Sequence, residues 1–187
     1  MSTEDEKYPL GRRITVNGKG GKTTLSKALA KRFALEFIEQ DAIRHQANWV
    51  ELTNDEHIVA ALERFKTAPN GWISDGNYSA LREAVVAESD TVIVLALPWR
   101  VMVWRTFKRT FWRGISRKEL WNGNRENLFL TFFTRNSVLY DLWHRRERYR
   151  SFAETAIADT PTNVRLVIIR TARELDDFYE EHGLARE

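Results

Sequence analysis

The sequence predicts an α/β fold in which helices cover a parallel sheet, in a chain of 187 residues. Short apolar and β-branched segments alternate with longer segments of helical periodicity, which is typical of parallel sheets. Residues 91–97 form an apolar run that ends at Pro98, as expected for a central strand buried on both faces. Residues 14–25 lead from a β-branched segment through a glycine-rich turn into a helix-forming segment, which is the geometry of a phosphate-binding site.

The remaining elements follow from the same patterns. The expected strands are residues 12–16, 37–38, 72–74, 91–97 and 164–169, and the expected helices are residues 23–35, 55–66, 81–88, 100–112, 125–152 and 173–182. The second helix is well defined, because Ile58, Ala61 and Phe65 share one face and Pro69 follows them. Gly183 ends the last helix.

Three regions lack a clear period. We expect residues 1–11 to form a flexible tail and residues 42–53, which include Trp49, to form an irregular loop. Residues 114–124 form a polar loop within a basic lid and helical region at about 105–150. The sequence shows no internal repeat and no clear domain boundary, so we expect the whole chain to be a single domain.

The composition excludes several classes of protein. There is no cysteine, which excludes disulfides, thiol catalysis and cysteine-ligated metal. The four histidines lack the spacing of zinc ligands. No run of 18 apolar residues is present and the N-terminal residues are polar and acidic, so we expect a cytoplasmic protein with no membrane partner.

The charge of the chain is unevenly distributed. Residues 100–150 carry 13 Lys and Arg against four acidic residues, a net charge of +9, whereas the whole chain carries +3. The rest of the chain therefore carries −6. A basic segment joined to an acidic body predicts an anionic ligand.

The glycine-rich turn is a candidate phosphate loop. It comprises Gly18, Lys19, Gly20, Gly21, Lys22, Thr23 and Thr24. Backbone N–H groups at the start of the following helix would bind phosphate oxygens. Lys22 would reach the β- and γ-phosphates, and the Thr23 hydroxyl would ligate Mg²⁺.

The length of this loop is ambiguous. Its end, Gly21-Lys22-Thr23, fits the pattern G-x-x-x-x-G-K-[ST], but the first position falls on Val16. Either Val16 occupies that position, or the loop is shortened and Gly18 opens it. Two further alternatives are a glycine turn that binds nothing and a phosphate loop with weakened nucleotide affinity.

Two aspartates follow predicted strands. Asp75 comes directly after residues 72–74, and Asp41 ends the second strand. Ligands bind at the carboxyl edge of parallel sheets, so Asp75 could hold Mg²⁺ directly or through water. Asp41 could ligate the metal through water or accept a proton from the group being phosphorylated. The alternatives are an Asp-Gly turn for Asp75 and a helix cap or turn for Asp41.

A row of arginines marks the expected helix at 100–112. Arg105, Arg109 and Arg113 are spaced by four residues, with Lys108 beside them. Like charges on one helix face repel one another unless an anion lies there, and guanidinium groups suit phosphoryl oxygens. We therefore expect Arg105 and Arg109 to stabilise charge during phosphoryl transfer, with a solvated basic face as the alternative.

Further residues are candidates for contacting a second substrate. The segment 121–126 places a tryptophan beside amides, glycine and arginine, which suits a lid, although Trp121 could instead pack inward in a plain turn. The cluster Arg145, Arg146, Arg148 and Arg150 faces either phosphates or solvent. The substrate-contacting candidates are Trp49, Asn77, Tyr78, Trp121, Asn124 and Arg125.

Taken together, these segments resemble a family of adenylate-kinase-like P-loop proteins, which are labelled DNA topology modulation proteins or AAA-family ATPases. The resemblance extends over residues 12–177 and rests on residues 21–25, 40–42 with Trp49, 72–79, 97–98 with 104–105, and 119–126. It implies a three-layer α/β/α P-loop fold with a five-stranded parallel sheet and a short lid. It also implies ATP and Mg²⁺, with Asp75 near the metal and Arg105 and Arg109 as lid arginines. The family's phosphate acceptor is not well defined.

Our first hypothesis is therefore an ATP-dependent phosphotransferase that acts on a nucleotide or another small molecule. In it, Lys22, Asp41, Asp75, Arg105 and Arg109 are the catalytic residues, and Thr23 and Asp75 hold the metal. The second hypothesis is a nucleic-acid-associated ATP-binding protein, because basic surfaces with stacking aromatics hold single strands. The third is a degenerate kinase that has lost its transferase activity.

Overall fold

The computed structural model describes residues 9–116, 121–124, 144, 146–147 and 151–186. They contain a five-stranded sheet of β1 (Arg13–Gly18), β2 (Glu36–Glu39), β3 (Trp72–Asp75), β4 (Thr91–Leu95) and β5 (Arg165–Ile169). The strands are paired in the order β2-β3-β1-β4-β5, and each pair is parallel. The prediction of an α/β fold with a five-stranded parallel sheet is confirmed.

Helices connect the strands in the described part of the chain. They are α1 (Lys22–Phe33), α2 (Gln40–Arg44), α3 (Asn54–Lys66), α4 (Arg82–Ala87), α5 (Trp99–Ser116), α6 (Phe152–Asp159) and α7 (Ala172–Glu181). Short 3-10 turns cover Ala47–Trp49, Ser79–Leu81 and Trp121–Gly123. Among the described helices, none combines the length and the apolar character that a bilayer span requires.

The sheet has an apolar core on each face. In β4, Ile93 and Leu95 pack in the cluster that contains α1 and α7, whereas Val92 and Val94 point to the opposite face. This alternation is the two-residue period of a strand buried on both sides. On the other side of β1, Trp72 of β3 stacks on a phenylalanine of α3 with ring centroids 3.9 Å apart. The layers hold the carboxyl ends of the strands in a fixed arrangement.

Several predicted boundaries differ from the structure. The expected loop at 42–53 begins within α2 and contains a 3-10 turn, and α5 extends through residue 116 into the expected loop at 114–124. The expected helix at 125–152 lies largely outside the described residues. The helix α6 was not predicted, although its sequence FAETAIAD is rich in helix-forming alanine.

The expected flexible tail at residues 1–11 includes a residue that the structure places in the core. Residues 1–11 were expected to be flexible, but Leu10 is only 1% exposed and belongs to the main core cluster. The Thr91 hydroxyl donates a hydrogen bond of 2.7 Å to the Leu10 carbonyl. The sequence could not predict this burial, because an isolated leucine before a strand gives no periodic signal. Leu10 packs in an apolar site at the start of β1 and β4, which exists only in the folded chain.

Candidate active site

The glycine-rich turn connects β1 to α1 at the carboxyl edge of the sheet. The strand ends at Gly18 and the helix begins at Lys22, while Gly20 and Gly21 have φ angles of +82° and +147°. The helix α1, which is described over its whole length, has neither a side-chain N-cap nor an acidic residue in its first turn. Its first N–H groups and the positive end of its dipole are therefore directed at the turn, as an anion site requires.

The structure adopts the shortened form of the loop. Val16 is buried within β1, where it pairs with Asp75 on one side and Ile93 on the other. Gly18 is the last residue of the strand and has a φ angle of +113°. A Cβ atom at Gly18 would lie 2.3 Å from the Leu95 carbonyl oxygen, so glycine is required there. The loop therefore has two residues between its glycines, whereas the general pattern has four.

Lys22 and Asp75 meet beside the loop. The Lys22 Nζ atom lies 3.1 Å from Asp75 Oδ1, and Asp75 is 2% exposed at the end of β3. Asp75 Oδ1 nevertheless lacks an aligned hydrogen bond among the described residues. This buried oxygen therefore retains a lone pair that can bind a cation.

These residues fit Mg²⁺ as a cofactor. Thr23 is the second residue of α1 and lines the same cleft as Lys22, so it offers a hydroxyl oxygen next to the lysine that contacts Asp75. The described residues contain no group of three or more His, Asp or Glu side chains that could hold a metal ion by themselves. Mg²⁺ usually takes one or two protein oxygens together with water and substrate phosphates, so this donor set is sufficient for a nucleotide-bound metal.

Asp41 and Tyr78 form a second polar pair across the cleft from the loop. The Tyr78 hydroxyl donates a hydrogen bond of 2.6 Å to Asp41 Oδ1, and His45 Nε2 lies 3.5 Å from the same hydroxyl. Burial raises the pKa of Tyr78 far above its usual range, and the adjacent Asp41 carboxylate raises it further. Tyr78 therefore remains a hydrogen-bond donor, and Asp41 keeps its second oxygen for another group.

A buried polar chain fixes the start of α2, where Asp41 lies. Gln40 Nε2 donates to the Ser74 hydroxyl at 2.9 Å, and Gln40 Oε1 lies 3.2 Å from His57 Nε2. Because that oxygen only accepts, His57 carries its proton on Nε2. Burial lowers the pKa of His57, which favours the neutral ring. This chain was not predicted, although a glutamine and a serine at the ends of adjacent apolar strands are a possible signal.

Asn77 contacts the phosphate loop. Its Oδ1 accepts a hydrogen bond of 2.7 Å from the Gly18 N–H, and its Nδ2 donates one of 2.6 Å to the Gly18 carbonyl. The sequence predicted a contact with the second substrate instead. Asn77 also lines the cleft, but both functional groups of its amide are engaged with the loop backbone.

The arginine row on α5 separates into different environments. Arg105 Nη1 donates a hydrogen bond of 2.7 Å to the Gly20 carbonyl, so Arg105 holds the loop backbone. Arg109 lines the cleft next to the loop. Lys108 lies 5.9 Å from the ring centroid of Trp104, on the exposed side of the helix. The side chain of Arg113 lies outside the described residues.

Residues 121–124, here called the strap, bind the segment that follows α2. Asn124 is 5% exposed; its Nδ2 donates to the Gln46 carbonyl and its Oδ1 accepts from the Trp49 N–H, both at 2.9 Å. Asn122 donates to the His45 carbonyl at 2.6 Å. The structure therefore gives Asn124 a backbone-clamping position where the sequence predicted a substrate contact, because both ends of its amide have backbone partners.

Aromatic rings and a carboxylate surround the strap. Trp121 stacks on His45 with ring centroids 5.8 Å apart, and Trp49 contacts the edge of the same ring at 5.6 Å. Burial raises the pKa of Glu39, and the nearby Asp75 and Asp41 carboxylates raise it further. A hydrogen bond between the Glu39 and Trp121 side chains acts against this shift. Glu39 was not predicted as a site residue. Arg125 and the arginine cluster at 145–150, apart from Arg146, lie outside the described residues.

Two cavities flank the loop. The larger, of about 630 Å³, is lined by the loop residues Gly18–Thr24 and by Lys27, Asp41, Asn77, Tyr78, Thr106 and Arg109 among others. The smaller, of about 370 Å³, lies between the loop, α5 and α7 and includes Tyr179 and Arg186. Their sizes suit small ligands. Thr106, Lys27 and Arg186 were missed from the sequence, because their proximity to the loop depends on tertiary packing.

The fold of the chain matches that of two solved structures that are named as kinases. A gluconokinase from Sinorhizobium meliloti 1021 is similar, with a TM-score of 0.50 and 18% sequence identity. The match covers 92% of this chain and 90% of the gluconokinase chain. A shikimate kinase from Acinetobacter baumannii, in complex with shikimate, has a TM-score of 0.51 and 18% identity over 96% of this chain and 97% of its own. No protein-family model and no curated protein sequence matches the chain. The narrower resemblance to topology modulation proteins stays a prediction.

Proposed function

We propose that this chain is a phosphotransferase that moves the γ-phosphate of ATP to a hydroxyl group of a small molecule, with Mg²⁺ as cofactor. The observation that carries the proposal is that Lys22 and Asp41 line one cleft beside a glycine loop and a helix N-terminus, while the buried Asp75 carboxylate lies 3.1 Å from Lys22. Phosphoryl transfer depends mainly on positioning and charge stabilisation, and these residues supply both. The two similar structures, named as kinases of small molecules, support the same assignment.

The cavities suggest how the two substrates are arranged. The loop lines both the smaller cavity, which includes Tyr179 and Arg186, and the adjoining larger one, which includes Asp41 and Tyr78. We place the nucleoside of ATP in the smaller cavity, because Arg186 lies over the Tyr179 ring at 4.7 Å and offers a flat surface beside the loop. The acceptor then occupies the larger cavity, with the phosphates between the two.

The acceptor side favours a hydroxyl group. Asp41 would accept the proton of that hydroxyl while the hydroxyl oxygen forms a bond to the γ-phosphorus. The bond between the γ-phosphorus and the β,γ-bridging oxygen breaks at the same time, and ADP leaves. Tyr78 holds the carboxylate in place through its 2.6 Å hydrogen bond. A phosphate acceptor would instead meet the negative charge of Asp41. The acceptor could be a sugar, another polyol or the sugar hydroxyl of a nucleotide.

Positively charged side chains would stabilise the γ-phosphate during its transfer. Lys22 and Arg109 line the cleft beside the loop, where they would offset charge on the γ-phosphate. Arg105 acts on the loop backbone at Gly20. Thr23 and Asp75 would hold Mg²⁺, which when bound neutralises phosphate charge.

The first experiment is thermal unfolding with and without Mg²⁺·ATP, for the native chain and for Lys22→Ala. A ligand that binds only the folded state raises the midpoint, so we expect a shift for the native chain, none for Lys22→Ala, and a native-like shift for the control Lys66→Ala. A screen of hydroxyl-bearing acceptors for ADP release follows. No shift in native protein with ATP, GTP or ADP would favour a degenerate kinase.

A second candidate function is single-stranded nucleic-acid binding by α5. Trp104 and Trp112 are 60% and 62% exposed, and Trp104, Phe107 and Phe111 form a row with ring centroids about 6 Å apart. The helix carries no acidic residue. Exposed aromatics beside cations suit base stacking. A gel shift with a single-stranded oligonucleotide that weakens with salt and with Trp104→Ala would support this function, and no shift at low salt would remove it.

A further inference from the structure

We propose that Asn77 is a positioning residue that holds the opening of the shortened phosphate loop, so that it controls binding of the donor phosphates. This inference rests on the proposed function. The strand β1 pairs with β3 as far as Val16 and Asp75, and β3 ends there. Gly18 lies two residues further, paired with Leu95 of β4 on its other side.

Gly18 therefore needs partners that the sheet does not supply. The residue is buried, and buried backbone N–H and C=O groups are almost always hydrogen-bonded. An asparagine amide offers one acceptor and a donor in a fixed plane. Asn77 uses both on Gly18, at 2.7 and 2.6 Å, and so takes the place of a neighbouring strand.

The short loop makes this contact consequential. Lys19 and Gly20 alone separate Gly18 from Gly21. The backbone orientation at Gly18 therefore determines where the following N–H groups point. Gly18 also has a φ angle of +113° and no room for a side chain. A small rotation there would redirect the loop away from the phosphates. The Asn77 bonds oppose that rotation.

The position of Asn77 in the chain suggests why an asparagine stands there. Residues 75–78 contact three parts of the site in turn: Asp75 meets Lys22, Asn77 meets Gly18, and Tyr78 meets Asp41. Asn77 thus connects the loop to the segment that carries the metal-binding and acceptor-side groups. A direct contact with the acceptor is the competing role, and it predicts no effect on ATP binding in the absence of acceptor.

The test measures the Kd of Mg²⁺·ATP by calorimetry without acceptor, for native protein, Asn77→Ala, Asn77→Asp and the control Asn70→Ala. Asn77 and Asn70 are both exposed, so the variants should fold. We expect Asn77→Ala to weaken binding about ten-fold or more, while Asn70→Ala matches the native protein. Asn77→Asp should also weaken it, because a carboxylate cannot donate to the Gly18 carbonyl.

A second readout separates this inference from the proposed function. Amide hydrogen exchange of Gly18 in the ligand-free protein should be faster in Asn77→Ala than in native protein or Asn70→Ala. Unchanged Gly18 exchange, or a native Kd in Asn77→Ala, would overturn the positioning role. If native protein fails to bind Mg²⁺·ATP, the proposed function falls, and the Gly18 exchange rate still decides whether Asn77 holds the loop.

Discussion

Lys22 Nζ lies 3.1 Å from Asp75 Oδ1, and both side chains are largely withdrawn from solvent. The lysine that would bind the donor phosphates and the carboxylate that would hold the metal therefore neutralise each other when no ligand is bound. Under the proposed function, ligand binding would replace this ion pair with contacts to phosphate and Mg²⁺. The pair would then serve both the stability of the ligand-free protein and the chemistry of the site.

The first prediction concerns the stability of this pair. Lys22→Met should destabilise the ligand-free protein by about 3 kcal/mol, because it leaves the Asp75 charge buried without its partner. Adding Asp75→Asn to that variant should recover part of the loss, since the uncompensated charge is removed. Urea unfolding of native, single and double variants measures both effects. A double variant less stable than Lys22→Met would contradict this account of the pair.

The second prediction concerns Asp41. Asp41→Asn should lower kcat with the identified acceptor by roughly 10²- to 10⁴-fold, because the amide cannot accept the hydroxyl proton. Tyr78→Phe, which removes the 2.6 Å hydrogen bond but keeps the carboxylate, should have a smaller effect. Steady-state kinetics and the Kd of Mg²⁺·ATP separate chemistry from donor binding. Native kcat in Asp41→Asn would rule out a proton-accepting role.

The third prediction concerns the strap. Asn124→Ala should release residues 121–124 from the segment after α2, because its amide makes bonds to both Gln46 and Trp49. We expect a loss of about 1–3 kcal/mol in stability and a higher acceptor KM, with the Kd of Mg²⁺·ATP unchanged. Tryptophan fluorescence should shift as Trp121 leaves His45. If Asn124 contacts the substrate directly, acceptor affinity would fall without a change in stability.

The sequence predicted the features that local chemistry determines. The strand, glycine turn and helix at 14–25 were recognisable because the β-branched segment, the glycines and the Lys-Thr pair follow one another in a single continuous stretch. Asp75 was recognisable because a carboxylate that follows an apolar segment lies at the sheet's carboxyl edge, and it is the last residue of β3. Asp41 was expected to end the second strand, but β2 ends at Glu39 and Asp41 lies in the first turn of α2. The five strands followed from the same apolar segments, with boundaries displaced by one or two residues.

The features that were missed depend on contacts between distant segments. Asn77 meets Gly18 across 59 positions, and Asn124 meets Trp49 across 75. No local period indicates such pairs, so both asparagines appeared as substrate contacts. The loop length was undecided because the first pattern position, Val16, is compatible with either form. The backbone favours the shortened form, because Val16 is paired on both sides within β1 and, from β1 into α1, positive φ angles begin only at Gly18.

The fourth prediction compares two glycines. Both have positive φ, +113° at Gly18 and +80° at Gly123, but a Cβ would clash with Leu95 at Gly18 and meet nothing within 4 Å at Gly123. Gly123→Ala should therefore cost only about 1 kcal/mol of backbone strain, whereas Gly18→Ala should cost more and weaken Mg²⁺·ATP binding. Chemical unfolding and calorimetry measure the two effects. Equal losses would mean that the clash at Gly18 is relieved by movement of β4.

The fifth prediction concerns pH. Burial lowers the pKa of His57 in the folded protein, with nearby Arg44 lowering it further. Near pH 6.5 the unfolded chain binds a proton at this position before the folded chain does. The stability that neutral His57 contributes is therefore present above about pH 6.5 and is lost as the pH falls below it, by up to ~1.4 kcal/mol per pH unit.

The measurement is urea unfolding at pH 7.5 and pH 5.5 for native protein, His57→Gln and His182→Gln. His57→Gln should be less stable than native protein at pH 7.5 but lose less stability on acidification. Burial also lowers the pKa of His182, so His182→Gln serves as a control that must retain the His57 contribution. The raised pKa of Glu39 has the opposite effect, because it favours the folded protein as the pH falls. Glu39 is present in every variant, so its contribution to the pH dependence cancels in the comparison. An unchanged pH dependence in His57→Gln would mean that His57 is not the group that titrates.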